Sequence, residues 1–281
     1  MIERNLTCIG PHGFHRLAYT EWPGPTRDAP VLLCIHGLTR NSRDFDVLAE
    51  ALSKHYRVVC PDMPGRGKSD WLNDATDYGY PVYLGDITAL IARLDVERVD
   101  WVGTSMGGII GMLFAALPNA PLGKLVINDV GALVPKAGIE RIASYAGLDP
   151  GFADLAAFEA ALRRVHAPFG PLSDAQWRHL ATHSFRRKQD GSIGFNYDPK
   201  IAEAFKQGPI ADVALWSSWD AIKCPVLVLR GEQSDIVLAS DAAAMTERGP
   251  QTKLVEFSGI GHAPALMADD QIAAIRDFLV G

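Results

Sequence analysis

The chain has 281 residues, of which 48% are hydrophobic and 21% are charged, and its formal net charge is −6. This composition is sufficient for a buried core and predicts one large globular domain, or one domain that carries an insertion. Without any run of Lys or Arg, the charge argues against a nucleic-acid surface or an anionic membrane as the main partner and leaves a small-molecule substrate as the expectation.

The first strands of the chain are predicted from short apolar runs. The stretch LTCIGPHGFHRLAYTEW reads as an antiparallel hairpin with a Gly/Pro turn. Apolar runs then alternate with patterns of helical spacing, which are FDVLAEALSK and LGDITALIARLD. Strands that alternate with helices indicate a mostly parallel sheet covered on both faces, and therefore the α/β class. The predicted strands are VLLCI (31–35), YRVVC (56–60), VDWVG (99–103) and KLVIND (124–129).

Residues 134–220 interrupt this alternation. They contain helical patterns such as DLAAFEAALRRVHAPF and SDAQWRHLATHSF, and no strong run typical of a parallel strand. The α/β pattern resumes with CPVLVLRG (224–231) and continues through TKLVEFSG (252–259) to a closing amphipathic helix. We therefore predict an α/β core made of residues 1–133 and 221–281, with residues 134–220 inserted as a helical lid over the carboxyl edge of the sheet.

Targeting segments and disulfides are not indicated. The start, MIERNLTCIGPHGFHR, lacks the apolar stretch of a signal peptide, and no later window matches a membrane span, so a cytoplasmic protein is expected. The four cysteines are far apart, and two lie inside apolar strand patterns. This distribution favours buried free thiols over disulfides.

The segment VGTSMGG places Ser105 between a predicted strand and a predicted helix. A sharp strand-to-helix turn strains the serine and requires small residues two positions before and after it, which Gly103 and Gly107 supply. Gly108 is expected to allow close packing of the helix on the sheet. The turn also presents its hydroxyl and the N–H groups of the helix start to a substrate, so Ser105 is the candidate nucleophile.

A serine nucleophile needs a base and an orienting carboxylate. His262 lies in the glycine-bounded loop SGIGHAP after the last predicted strand, and we predict that it is the base. Two aspartates follow strand patterns, Asp129 and Asp235, and Glu232 is a weaker choice. We favour Asp235 because it follows the predicted strand that is adjacent in sequence to the strand and loop of His262, and the order Ser, Asp, His then matches a known arrangement. Asp129 remains the alternative.

The segment CIHGLTRN follows a predicted strand and offers a second donor for an oxyanion. We predict that the backbone N–H groups of Leu38 and Met106 converge on the substrate oxygen, each contributing a few kcal/mol in the transition state. The ring of His36 is expected to bond to nearby backbone. Arg40 either reaches a substrate carboxylate or pairs with a neighbouring aspartate, Asp44 or Asp62.

Signatures of metal or cofactor binding are weak. His179 and His183 have the one-turn spacing of a metal site, but no third ligand is evident near them. The segment PGRGKSD lacks the first glycine of a phosphate-binding loop, because that position is Asp62, and no glycine fingerprint of a dinucleotide site follows a strand. We expect no metal and no cofactor.

Five motifs in order resemble those of the α/β-hydrolase superfamily: IHGLTRN, CPDMPGRGKSD, VGTSMGG, LRGEQSDIV and GIGHAP. The resemblance implies an eight-stranded, mostly parallel sheet with a cap after the sixth strand, and no cofactor. It excludes family members that carry aspartate in place of Ser105. Members that cleave carbon-carbon bonds often have asparagine where this chain has Thr104.

We therefore expect a serine hydrolase that cleaves a small carboxylic ester or lactone through an acyl-enzyme. Carbon-carbon bond hydrolysis and a non-enzymatic ligand receptor are the alternatives. Aromatic residues of the lid are candidates for an apolar acyl pocket. They are Trp177, Phe185, Phe195, Tyr197 and Trp216.

Overall fold

Strands and helices alternate along most of the chain in the computed structural model, which describes residues 1–281. The strands are β1 (Ile2–Gly10), β2 (Gly13–Trp22), β3 (Val31–Ile35), β4 (Arg57–Pro61), β5 (Val99–Thr104), β6 (Leu122–Asn128), β7 (Leu133–Val134), β8 (Phe185–Arg187), β9 (Ile193–Phe195), β10 (Val213–Ala214), β11 (Val226–Gly231) and β12 (Thr252–Phe257). The α-helices are α1 (Asp46–Leu52), α2 (Tyr80–Leu94), α3 (Met106–Ala115), α4 (Lys136–Ala143), α5 (Leu155–Val165), α6 (Asp174–Ser184), α7 (Trp216–Ala221), α8 (Ala239–Glu247) and α9 (Asp269–Val280).

Eight strands form the main sheet in the order β1-β2-β4-β3-β5-β6-β11-β12. The hairpin of β1 and β2 is antiparallel and joins the sheet antiparallel to β4, whereas β4, β3, β5, β6, β11 and β12 are all parallel. Every residue of β3 and β11 is buried, as continuous apolar runs covered on both faces require. The predicted α/β class and mostly parallel eight-stranded sheet are confirmed.

Helices cover both faces of this sheet. Alternate residues of a strand point to opposite faces, and β3 shows the division clearly: Leu33 and Ile35 belong to one apolar cluster, and Leu32 and Cys34 to the other. The four cysteines are free, and Cys34 is fully buried between these layers. The expectation of free thiols is confirmed. No helix combines the length and apolar character needed to cross a bilayer.

The segment 134–220 lies outside the main sheet. It contains helices α4, α5 and α6 and an antiparallel pair, β8 with β9. Its two ends meet where β7 pairs with β10, with Leu133 opposite Ala214. Phe158, Leu162 and Leu180 form a separate apolar cluster within it. We refer to residues 134–220 as the inserted segment, and its function as a lid remains a prediction.

Candidate active site

Ser105 sits alone between the end of β5 and the start of α3. Its backbone has φ 52° and ψ −115°, a conformation that costs a non-glycine residue on the order of 1–3 kcal/mol. The surroundings hold it there, because the Ser105 N–H donates to the Asn128 carbonyl at 2.9 Å and the Gly108 N–H donates to the Ser105 carbonyl at 2.8 Å. The strained turn lifts the hydroxyl away from the sheet.

The glycines around Ser105 leave no room for side chains. A Cβ on Gly103 would lie 2.2 Å from the Gly107 carbonyl oxygen, and a Cβ on Gly107 would lie 2.0 Å from the Ile35 carbonyl oxygen. A Cβ on Gly108 would lie 2.6 Å from Val130 Cγ1, which faces the helix. The predicted reasons for these three glycines are therefore confirmed.

The Ser105 hydroxyl begins a chain of hydrogen bonds. Ser105 Oγ lies 2.9 Å from His262 Nε2, and His262 Nδ1 lies 2.8 Å from Asp129 Oδ2. With Nδ1–H directed at the carboxylate, the lone pair of Nε2 faces the serine hydroxyl, which is the arrangement a general base needs. The structure therefore brings together Ser105 and His262 as predicted, with Asp129 as their third member.

Asp129 is fully buried and immediately follows β6. Besides His262, its Oδ1 accepts the Gly231 N–H at 2.7 Å and its Oδ2 accepts the Ser234 hydroxyl at 2.6 Å. An ionised carboxylate accepts all of these donors at once, and each bond offsets part of the cost of removing the charge from water. The site is thus built for a fixed negative charge behind the imidazole.

The prediction that Asp235 orients His262 is wrong. Asp235 forms a bidentate ion pair with Arg141, at 2.5 and 2.8 Å, and its side chain is 41% exposed. The reason is its distance from the strand: β11 ends at Gly231, so Asp235 lies beyond the turn, whereas Asp129 directly follows the neighbouring β6. The Ser234 hydroxyl of the same turn bonds to Asp129 instead. Glu232, the weaker choice, accepts hydrogen bonds from Ser258 and Gly259.

Leu38 and Met106, the predicted oxyanion donors, lie close to Ser105 in the fold. The Leu38 N–H has no acceptor within the protein, and Met106 is the first residue of α3, where an N–H has no intrahelical partner. The two segments are adjacent, because a Cβ built on Gly37 would lie 3.7 Å from Ser105 Cβ. Both residues line the same cavity as Ser105. This placement matches the predicted oxyanion donors.

His36 fixes the loop that carries Leu38. Its Nδ1–H donates to the Gly37 carbonyl at 2.7 Å, and its Nε2 accepts the Met63 N–H at 2.9 Å. Complete burial lowers the pKa of His36 to about 3, so the ring is neutral. The expectation that His36 bonds to nearby backbone is confirmed.

Arg66 is a residue of the site that the sequence analysis did not predict. It is fully buried, and its Nε donates to the Leu38 carbonyl at 2.8 Å while its Nη2 lies 3.6 Å from Met106 Sδ. Its Nη1 donates to the Pro64 carbonyl at 2.7 Å and to the Tyr83 hydroxyl at 2.8 Å. One guanidinium thus contacts both residues that are predicted to supply the oxyanion donors. Its place in CPDMPGRGKSD was the only sequence signal.

A cavity of about 500 Å³ opens beside Ser105. Its wall is mostly apolar and includes Tyr83, Ile109 and Val130 from the core and Ile139 and Phe205 from the inserted segment. No residue that lines it carries a charge. The cavity therefore suits an uncharged, largely apolar group.

The aromatic residues proposed for substrate binding do not line this cavity. Trp177 and Phe185 pack in the apolar cluster of the inserted segment, and the ring of Trp216 stacks against Arg248 at 4.9 Å. Phe195 and Tyr197 stack on each other at 5.7 Å. These predictions were wrong because the sequence shows which aromatic residues belong to the inserted segment but not whether they pack against other side chains or line a cavity.

The prediction that Arg40 pairs with a substrate carboxylate is contradicted, because its Nε and Nη2 donate to Asp44 at 2.8 and 2.6 Å. The side chain of Arg40 is 6% exposed, so this ion pair is largely buried. The alternative of a pair with Asp44 is therefore the correct one.

Comparison with known proteins decides the family. The sequence model of the α/β hydrolase fold matches residues 30–267. The chain belongs to the α/β-hydrolase family. It is 46% identical to a 3-hydroxybutyrate-oligomer hydrolase of Cupriavidus necator, over 98% of this chain and 97% of that protein.

Two solved structures of this family are similar over nearly the whole chain. A putative hydrolase from Rickettsia typhi is 34% identical with a TM-score of 0.92, covering 100% of this chain and 99% of its own. An α/β hydrolase from Novosphingobium aromaticivorans is 39% identical with a TM-score of 0.87, covering 99% and 98%. The predicted family is confirmed. The predicted enzyme class, a hydrolase that acts on carboxylic ester bonds, is also confirmed.

Proposed function

We propose that this α/β hydrolase is a serine esterase that works through an acyl-enzyme, with Ser105 as nucleophile, His262 as base and Asp129 as the orienting carboxylate. The observation that carries the proposal is the hydrogen-bonded chain from Ser105 through His262 to Asp129, which opens on an uncharged cavity. Nucleophile, base and orienting group at these distances are the requirement for acyl transfer.

In the first half of the proposed reaction, His262 Nε2 takes the proton of Ser105 Oγ as this oxygen attacks the ester carbonyl. The carbonyl oxygen becomes an oxyanion that accepts hydrogen bonds from the N–H groups of Leu38 and Met106. The buried charge of Asp129 stabilises the imidazolium. His262 then protonates the leaving alcohol as the bond between the carbonyl carbon and the alcohol oxygen breaks.

In the second half, His262 removes a proton from water, and the resulting oxygen attacks the acyl-enzyme. The carboxylic acid leaves as Ser105 recovers its proton. We assign Arg66 as a positioning residue, because it holds the Leu38 carbonyl and the Met106 side chain and so fixes the separation of the two donors.

For the substrate, we propose a short oligomer of 3-hydroxybutyrate or a similar hydroxyalkanoate ester. Similarity to the 3-hydroxybutyrate-oligomer hydrolase over 98% of the chain supports this choice. Such an oligomer has an uncharged hydroxyl end and a carboxylate end. The cavity has no charged lining residue, so it suits the hydroxyl end as acyl group, and the carboxylate end departs with the alcohol.

We propose further that the inserted segment is the lid of this site. Ile139, Ile201, Phe205 and Val213 belong to it and line the cavity together with the core residues Tyr83 and Ile109. Substrate selection by acyl length is then a property of the inserted segment, whereas the reacting groups all belong to the core.

The experiment compares wild type, Ser105→Ala and a control, Ser53→Ala, whose hydroxyl bonds to the Glu50 carbonyl away from the site. Each is incubated with p-nitrophenyl butyrate and with the dimer and trimer of 3-hydroxybutyrate, and released acid is measured by chromatography. We expect Ser105→Ala to lose turnover on all substrates and Ser53→Ala to retain it. Equal rates in wild type and Ser105→Ala would remove Ser105 from the reaction.

Rapid quenching followed by mass spectrometry of the Ser105 peptide tests the intermediate. We expect one acyl group on this peptide during turnover of wild type. A single turnover followed by stable binding would instead favour the receptor alternative, and cleavage of a vinylogous diketone without ester cleavage would favour the carbon-carbon hydrolase.

A further inference from the structure

Three potential metal ligands meet where the inserted segment touches the core, away from the groups of the proposed reaction. His179 and His183 are one turn apart on α6, and Asp46 is the first residue of α1. One ligand-type atom from each of the three lies within 4.8 Å of the other two. The sequence pattern contained the histidine pair but not the carboxylate, because Asp46 is distant in the chain.

The side chains are already turned toward one another. His179 Nε2 lies 3.3 Å from Asp46 Oδ2, and the two imidazole rings are 4.7 Å apart. Each residue is partly buried, so the cluster is shielded yet reachable from solvent.

We propose that Asp46, His179 and His183 bind a divalent transition-metal ion of the Zn²⁺, Ni²⁺ or Co²⁺ class. Two imidazoles and one carboxylate are a ligand set that these ions accept, and water completes the coordination shell. Ions that prefer only oxygen ligands, such as Mg²⁺ and Ca²⁺, are not expected to bind.

Binding requires a local rearrangement around Arg43. Its guanidinium now bonds to both Asp46 oxygens and lies 3.3 Å from His183 Nδ1. The Arg43 side chain is 20% exposed, so it can turn toward solvent when a cation replaces it. Zinc ligands at about 2.0–2.2 Å from the ion are at most about 4.4 Å apart. His179 Nε2 and Asp46 Oδ2, at 3.3 Å, already satisfy this limit.

The bound ion would join the inserted segment to α1, close to the loop that carries Leu38. Asn41, three residues after Leu38, already donates a hydrogen bond to the His183 carbonyl at 2.9 Å. A metal bridge between α6 and α1 would strengthen this junction, and because the ion binds the folded chain it would raise the melting temperature.

A second cluster, Cys8, His15 and Asp86, serves as an internal comparison. It is fully buried, and both Asp86 oxygens already lie 2.9–3.0 Å from His15 Nε2. We assign it no ligand, and it is left intact in every variant below.

The experiment titrates metal-free full-length protein with ZnCl₂, NiCl₂ and CoCl₂, using calorimetry, thermal melts and the visible absorption of Co²⁺. We expect His183→Asn and Asp46→Asn to weaken binding by about tenfold or more and to abolish the rise in melting temperature. Arg43→Gln removes the competing cation and should tighten binding. His55→Asn, which changes an exposed histidine elsewhere, is the matched control.

Binding to His183→Asn as tight as to wild type, or unaltered affinity in Arg43→Gln, would overturn the proposal. Should the Asp46 variant fail to fold, the Arg43 and His183 variants with the Co²⁺ spectrum still decide it. Ester hydrolysis by the metal-free protein is measured in parallel, so a failure of the metal site is distinguishable from a failure of the proposed esterase.

Discussion

Replacing Asp129 by Asn changes one oxygen of the buried carboxylate into an amide donor. The Oδ1 position faces the Gly231 N–H, and the Oδ2 position faces His262 Nδ1 and the Ser234 hydroxyl. An amide NH₂ directed at Gly231 would oppose a fixed backbone donor, at a cost of about 1–3 kcal/mol. The favoured orientation therefore directs the NH₂ at His262.

That orientation reverses the imidazole tautomer. With an amide donor facing it, Nδ1 becomes the acceptor and the ring proton moves to Nε2, which then points at Ser105 and cannot take its proton. By analogy with the same replacement in serine-protease triads, we expect kcat to fall by about 10³–10⁴, or about 4–5.5 kcal/mol in the barrier.

The assay follows p-nitrophenyl butyrate hydrolysis by wild type, Asp129→Asn and Asp235→Asn under saturating substrate, with thermal melts to confirm that each variant is folded. Asp235→Asn alters an ion pair whose carboxylate is 41% exposed, so we expect its kcat to stay within about threefold of wild type. Activity that survives in Asp129→Asn but is lost in Asp235→Asn would refute the assignment of Asp129.

Further predictions concern the oxyanion loop, the cavity and the buried histidine. Arg66→Met should lower kcat by about tenfold or more while KM changes little, since Arg66 contacts the donor residues and not the cavity; an equal rise in KM would indicate a role in substrate binding. Ile139→Trp, on the cavity wall, should reduce hydrolysis of p-nitrophenyl octanoate relative to the acetate, and an unchanged ratio of the two rates would place the acyl chain elsewhere. The pKa of His36 is about 3 in the folded chain and has its ordinary value of 6.5 in the unfolded chain. Between pH 3 and pH 6.5 the unfolded chain therefore binds one more proton than the folded chain. Its contribution to stability is complete above pH 6.5 and is lost as pH falls toward 3; urea unfolding should show that His36→Gln flattens this fall by about 1.4 kcal/mol per pH unit.

The sequence predicted the fold well because the relevant signals are local. The apolar run of β3 was predicted at 31–35 and occupies the same residues, since a strand buried on both faces leaves a continuous pattern. The turn at Ser105 could be predicted equally well from the sequence, because it needs glycine at two nearby positions. A side chain on Gly103 would collide with the Gly107 carbonyl, and one on Gly107 would collide with the Ile35 carbonyl. Both inferences used only neighbouring residues of the chain, although the atom that excludes a side chain at Gly107 belongs to β3.

The site was predicted less completely, because it depends on which side chains meet across the sheet edge. Trp177 has the spacing of an apolar helix face, but the sequence does not say whether such a face packs within the inserted segment or lines a cavity. Arg66 illustrates the opposite case, because a charged residue in a glycine-rich loop is expected to lie in solvent. In the structure its guanidinium N–H groups instead donate to the carbonyls of Leu38 and Pro64 and to the Tyr83 hydroxyl. Its burial follows from the tertiary fold alone.

The wrong choice of Asp235 shows which feature of a strand end determines whether its aspartate can hydrogen-bond to His262. Here the choice is between two aspartates at the ends of neighbouring strands. Since β6 and β11 are paired, Asp129 and Asp235 both belong to the same edge of the sheet, and chain order permits either. Asp129 directly follows the last residue of β6. Its backbone N–H donates to the Leu229 carbonyl of β11 at 2.8 Å, so its backbone is held in the sheet. Asp235 lies beyond a turn and pairs with Arg141 of α4. In the proposed reaction the carboxylate must stay within hydrogen-bond reach of His262 throughout the catalytic cycle. This role needs the more rigid support, and the strand end supplies it.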